Sequence, residues 1–279
     1  SRWALQASPG PTDIARDCVS WARDHYLPFW RQGAGVDIPN ADAPLDGYKI
    51  VIAPSLYMVR PDFAGRVEAF VAAGGIFVAT FLTGIVDDKD LCHTGGWPGP
   101  LRRLLGVWAE EIDYIYPDEA NAVRCLDGNA AGVPAGDYAV RHVCDRIHAE
   151  TATVAGTYGS DFYAGAPALT VNRHGKGEAW YLAARAETPL LDAFYGALIK
   201  RTGVRCALGG VLPDQVSATV RGDGTTEHVF VINYAAAPRQ VAVKTEPLTD
   251  ILSEETFAGT IDLPPYGVRV FKRPAGITR

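Results

Sequence analysis

Apolar positions follow a helical period in places and a strand period in others over the first two hundred residues, and strand periods alone after that. Ile14, Cys18 and Trp21 fall at i, i+4 and i+7, which predicts a helix over 12–33 capped by Thr12 or Asp13. Pro28 lies inside it, where a missing N–H predicts a kink or a break. Gly33 and Gly35 end the element, and "VDI" (36–38) predicts a short strand. "YKIVIAP" (48–54) is a β-branched and aromatic run of the buried parallel type. Pro61 opens the next helix, with Phe63, Val67, Phe70 and Val71 on its inner stripe and Gly74-Gly75 as its stop. "IFVATFL" (76–82) is the second buried strand, so 48–82 reads as a βαβ unit. Residues 100–105 predict a short helix with Leu101, Leu104 and Leu105 inward.

Further on, "AVRCL", "YAVRHVCDRIHAE", "ATVAGTY" and "PALTVNRHGKGEAWYLAAR" read as additional strands, some of them antiparallel. Thr188-Pro189 starts a helix lined by Leu191, Phe194 and Leu198, and Gly203 ends it. From Leu212 on the pattern is all β. A Gly-Asp-Gly turn at 222–224 joins two strands, and Pro-Pro-Tyr-Gly (264–267) joins a last pair. This predicts a small sandwich.

A length of 279 residues favours two domains, and 48% hydrophobic with 21% charged residues is an ordinary globular mix. The net charge of −6 offers no basic patch for nucleic acid or an anionic membrane. No apolar run approaches the ~20 residues that span a bilayer. Five cysteines, an odd number without C-x-x-C spacing, read as reduced apolar side chains in a cytoplasmic protein. A start at Ser1 within "SRWALQASPGPTD" reads as the interior of a longer chain.

Candidate chemistry concentrates in "GIVDDKDLCHTGGWPGPLRRLLG" (84–106). Asp87, Asp88, Asp90 and His93 are possible metal ligands, but the spacing lacks the glycine and terminal glutamate of a calcium loop, so no metal is expected. Cys92 and His93 are adjacent, and neighbours on an extended chain point apart, so they form no dyad. No G-x-[SC]-x-G elbow is present in "FLTGIVDD". "GGWPGPLRR" opens a helix but lacks a phosphate-binding glycine pattern, and its prolines remove backbone donors. No cofactor is implied. Trp97, Trp108 and Trp180 read as core, and no carboxylate pair for sugar hydrolysis is identifiable.

The stretch "GYKIVIAPSLYMVRPDFAGRVEAFVAAGGIFVATFLTGIVDDKDLCHTGGWPGPLRRLLGV" resembles the middle, trimerisation domain of glycoside hydrolase family 42 β-galactosidases. "GKGEAWYLAARAE" is similar to the last strand of that domain. "HVFVINYAAAPRQVAV" and "DILSEETFAGTIDLPPYGVRVF" are similar to the family's small C-terminal β domain. The resemblance implies a flavodoxin-like, doubly wound α/β sheet akin to class I glutamine amidotransferases over 1–210, lacking its first strand. A β-sandwich over 211–279 follows.

It also implies that the catalytic glutamates lie in a (β/α)₈ barrel outside this chain, so no catalytic residue carries over. The parent would be a retaining β-galactosidase that assembles as a trimer with its own barrel as partner. This chain would present surfaces without catalysing. The surface expected at an interface or an active-site mouth comprises Tyr57, Met58, Asp87, Asp88, Asp90, His93 and Trp97. Tyr57, Met58, Trp97 and Leu91 would supply an exposed apolar contact. An amidotransferase-like cysteine hydrolase, using Cys92 or another cysteine, and a free-standing carbohydrate-binding protein are the alternatives.

Overall fold

The computed structural model describes residues 18–275. Its first element, α1 (Cys18–Trp30), holds Pro28 without breaking, because the proline sits in the last turn and removes one hydrogen bond only. Arg31 N still reaches Leu27 O at 2.9 Å. The cap predicted at Thr12 or Asp13, and the stretch before it from which the first strand is expected to be missing, lie outside the described residues. Residues 36–38 form no strand.

Every residue of β2 (Ile76–Thr80) is buried, and the strand lies parallel to β1 (Ile50–Ala53). Between them runs α2 (Pro61–Ala72), which turns Phe63, Val67 and Val71 inward. Phe70 is only half-buried and folds over Gly75, where a Cβ would meet its ring at 2.2 Å. A side chain at 75 would displace that ring.

The remaining strands are β3 (Val107–Tyr114), β4 (Asn121–Cys125), β5 (Gly136–Ala149), β6 (Thr153–Tyr158), β7 (Pro167–His174), β8 (Gly177–Leu182) and β9 (Ala184–Ala186). They complete a nine-stranded sheet in the order β1-β2-β8-β7-β6-β4-β5-β3, with β9 beside β5. Among the described strands, only the β1–β2 and β2–β8 pairs are parallel. The sheet is therefore mixed, and among the described strands the doubly wound expectation holds for β1, β2 and β8. Connections as short as Gly175-Lys176 between β7 and β8 cannot make a crossover, so they enforce antiparallel pairing. A 3₁₀ turn, Gly99–Leu101, leads into α3 (Arg102–Leu105), and the two together bury Leu101, Leu104 and Leu105 as predicted. Helix α4 (Thr188–Thr202) ends at Gly203, φ +61°.

Two compact units divide the chain. One comprises Ser1–His25 with Pro39–Leu198, the other Tyr26–Ile38 with Ile199–Arg279. The second unit carries β10 (Val216–Gly222), β11 (Thr226–Asn233), β12 (Arg239–Asp250), β13 (Thr256–Leu263) and β14 (Val268–Pro274). These form one antiparallel sheet, β10-β11-β14-β12-β13, in place of two separate ones. The β12–β14 junction is only two residue pairs, and Val229, Val231, Val241, Leu248, Ile261 and Phe271 share one core. Pro-Pro-Tyr-Gly joins β13 and β14, but those strands do not pair. β14 instead inserts between β11 and β12. Prolines lack the N–H that a hairpin ladder needs at that point. No helix of the described residues is long and apolar enough to cross a membrane.

Candidate functional site

Both parallel strands β1 and β2 end in strained turns. Ser55 adopts φ +46° and Leu82 φ +58°, conformations that non-glycine residues hold only against surrounding constraint. Ser55 N donates to Thr80 Oγ1 at 2.8 Å, and Thr83 Oγ1 donates to Thr80 O at 2.6 Å. Leu82 N donates at 3.0 Å to Asp145 Oδ2, which also accepts Tyr181 OH at 2.5 Å. Asp145 is completely buried, and its Oδ1 has no partner. Burial pushes its carboxyl up to about 7, against the pull of both hydrogen bonds. A buried carboxyl thus pins the turn from which the 84–106 segment emerges. The sequence reading did not single it out. The available signal was an acid within "HVCDRI", a strand stretch buried on both faces at 143–145.

The segment then pairs with the chain that follows β1. Gly84 N reaches Leu56 O at 2.8 Å, Ile85 N reaches Tyr57 O at 2.9 Å, and Val59 N returns to Val86 O at 3.0 Å. Val86 faces Cys92 across an antiparallel bridge, and His93 N donates to Ile85 O at 3.0 Å. Residues 85–93 are therefore a small hairpin. Asp87 closes it by accepting Lys89 N at 2.9 Å and Leu91 N at 3.0 Å on Oδ1, bonds that hold its carboxyl below the usual carboxylate range. Asp88 and Asp90 stand exposed at the tip. Among the described residues no three His, Cys, Asp or Glu side chains come together to hold a metal.

Cys92 is exposed, whereas His93 packs against Gly99 with Nε2 buried and unpartnered. Burial raises the pKa values of the Cys125, Cys144 and Cys206 thiols, that of Cys144 to about 12, so these remain protonated and poor nucleophiles. The sharp turn after β2, where an elbow nucleophile would sit, carries Leu82.

The second half of the segment is a buttress. A Cβ on Gly84 would meet Pro98 O at 2.3 Å. Trp97 O accepts Ala109 N at 2.9 Å, and its half-buried indole N–H has no partner. Arg102 pairs with Glu150, donates to Gly95 O at 2.8 Å and lies 5.7 Å over the Trp108 ring. Tyr57 packs on the cluster of Trp21, Phe81, Leu82 and Val143, and burial, then Asp90, raises its hydroxyl pKa. Met58 is half-buried beside Val86. Of the four apolar side chains expected to face outward, only Leu91, at 62% exposure, does so fully. Pairing of 56–59 with 84–86 draws Tyr57 and Met58 onto the domain, and the bridge to Ala109 draws in Trp97.

Residues 1–205 match the family described as "Beta-galactosidase trimerisation domain", and 215–273 match "Beta-galactosidase C-terminal domain". The chain belongs to the family 42 β-galactosidases. It is 45% identical over 275 residues to β-galactosidase BglY of Alicyclobacillus acidocaldarius, covering 99% of this chain and 40% of that protein. The solved β-galactosidase of Bacillus circulans sp. alkalophilus superposes with a TM-score of 0.91 at 38% identity, over 98% of this chain and 40% of that one. The Rahnella sp. R3 enzyme gives 0.89 at 41%, over 98% and 39%. The chain thus spans about 40% of the length of the relatives it matches.

Proposed function

We propose that these 279 residues are the assembly portion of a β-galactosidase that hydrolyses terminal β-galactosides, and that a (β/α)₈ barrel elsewhere in the protein supplies the catalytic glutamates. The observation that carries this is the match of both non-catalytic domain families across 1–205 and 215–273. The first domain, 1–210, is read as a flavodoxin-like variant, and 211–279 as the small C-terminal antiparallel β domain. The hairpin at 85–93 and its buttress form a preorganised ridge after parallel strands β1 and β2. Strand carboxyl ends are where α/β sheets present contacts. Asp88, Asp90, Leu91 and the half-buried Tyr57, Met58, His93 and Trp97 are assigned to a subunit interface or the mouth of a barrel, in a trimer. Free thiols at Cys92, Cys125, Cys144 and Cys206 support a cytoplasmic setting.

Assay of this chain on a chromogenic β-galactoside tests the reading. The expected result is no turnover. Turnover that disappears on changing a single carboxylate within these residues overturns it.

A further inference from the structure

Apart from the 84–106 ridge, a cleft of about 250 Å³ is lined by Asp24, Arg141, His142, Arg185, Glu187 and Thr188. It forms where β5 changes partners. Residues 136–140 of β5 pair with β4 and 143–149 with β3, and β9 joins at Val140 and Cys144 with an irregularity between them. His142 falls in that irregularity at φ +71°. Such an interruption of a ladder re-aims a side chain, and glycine would adopt this conformation at lower cost than histidine does. Two nitrogens of the lining, His142 Nδ1 and Arg185 Nη1, are buried and lack hydrogen-bond partners. Burial, Arg185 and Arg141 hold the imidazole pKa low, so at neutral pH it offers one donor and one acceptor.

Charge decides what the cleft suits. Arg185 Nη2 donates to Asp24 Oδ2 at 3.3 Å, and Arg141 Nε donates to Glu187 Oε1 at 2.6 Å. The lining is therefore balanced, with two guanidiniums against two carboxylates. The N-terminus of α4 opens into it and by itself would favour an anion. Glu187 already stands at that terminus, Asp24 adds a second negative charge, and Pro189 removes a donor. A cation meets two arginines. A neutral polyol meets neither penalty, since each hydroxyl both donates and accepts. Guanidinium and carboxylate edges keep free sites after pairing with each other. The arginine and carboxylate side chains here are 19–44% exposed, so the cleft opens to water. Its volume lies below the ~300 Å³ at which drug-sized pockets begin, the scale of one sugar ring.

We propose that this cleft is a non-catalytic site for a single neutral sugar ring, held through vicinal hydroxyls by Arg141, Arg185, Asp24, Glu187 and His142. The inference rests on these residues alone and stands apart from the role of the chain in a larger enzyme. D-galactose is the probe, with sodium sulfate as the anion control, titrated into the isotope-labelled 279-residue chain while the His142 imidazole signals are followed by NMR. Galactose is expected to shift them saturably with a Kd on the order of millimolar, and sulfate is expected to leave them in place. His142→Gly, followed through the labelled Arg185 side-chain signals in place of the imidazole, relieves the backbone and is expected to keep the melting temperature while weakening binding about tenfold or more, equivalent to at least ~1.4 kcal/mol. Arg185→Gln is expected to weaken it similarly, and Arg103→Gln, outside the cleft, to leave it unchanged. Absence of a saturable shift, an equal response to sulfate, or binding that survives either cleft variant overturns the proposal.

Discussion

Asp145 shows at the scale of one residue how position sets chemistry. Its folded-state pKa of about 7 lies above the ordinary unfolded value near 3.9, so the native state binds the proton more tightly than the unfolded chain does. Its contribution to stability is therefore complete below about pH 4 and is lost as pH rises toward 7, by up to ~1.4 kcal/mol per unit. Asp145→Asn keeps an acceptor for Leu82 N and Tyr181 OH without the titration. Urea unfolding from pH 4.5 to 8 is expected to give a flatter profile for the variant, which gains on the wild type as pH rises. Identical slopes would show that the carboxyl ionises freely in the fold. Gly84 is a second such position. Its φ of +66° and the 2.3 Å approach of a Cβ to Pro98 O leave no room for a side chain. Gly84→Ala is expected to cost about 2 kcal/mol or more by thermal unfolding, combining left-handed strain with a clash against backbone.

Among the elements, the hairpin at 85–93 depends on one exposed carboxylate. Asp87 accepts two backbone N–H groups of the tip while the hairpin base is held by Val86, His93 and their partners. Asp87→Ala is expected to accelerate hydrogen exchange at the Lys89 and Leu91 amides severalfold and to leave the His93 amide protected. Loss of protection throughout 84–93 would mean that the tip organises the base. α3 is the opposite case. It has a single turn, but with the preceding 3₁₀ turn it buries Leu101, Leu104 and Leu105 almost completely. Leu105→Ala is expected to destabilise by roughly 2–5 kcal/mol in denaturant unfolding, the range for emptying a buried leucine site.

For the whole molecule, the prediction concerns association. The ridge exposes Leu91 between Asp88, Asp90 and Cys92. Half-burial of Tyr57, Met58 and Trp97 makes the apolar contact smaller than the sequence suggested, so isolated chains are expected to associate weakly. Light scattering should show mass rising with concentration toward millimolar protein, where interactions of about 4 kcal/mol become visible. Leu91→Asp is expected to abolish the rise. A constant monomer mass would place the assembly surface elsewhere.

The sequence by itself determined what local pattern encodes. Apolar runs bracketing a proline-opened helix specified β1, α2 and β2, although only β2 is fully buried and β1 lies half-buried at the sheet edge; leucine spacing specified α3, and paired glycines and an aspartate specified where the chain turns. Cys92 and His93 were separable for the same local reason, since neighbours on an extended strand face opposite ways. Tertiary structure decided everything that depends on partners distant in the chain. Asp145 lies 63 residues from the Leu82 amide it holds, and no short-range signal links them. His142 is aimed by a change of strand partner, and β14 enters between β11 and β12 although its sequence neighbour is β13. Burial of Tyr57 and Trp97 followed from the pairing of 56–59 with 84–86 and of Trp97 with Ala109. Periodicity reports which face of an element is apolar. Register and long-range hydrogen bonds determine what that face, and any charge beside it, meets.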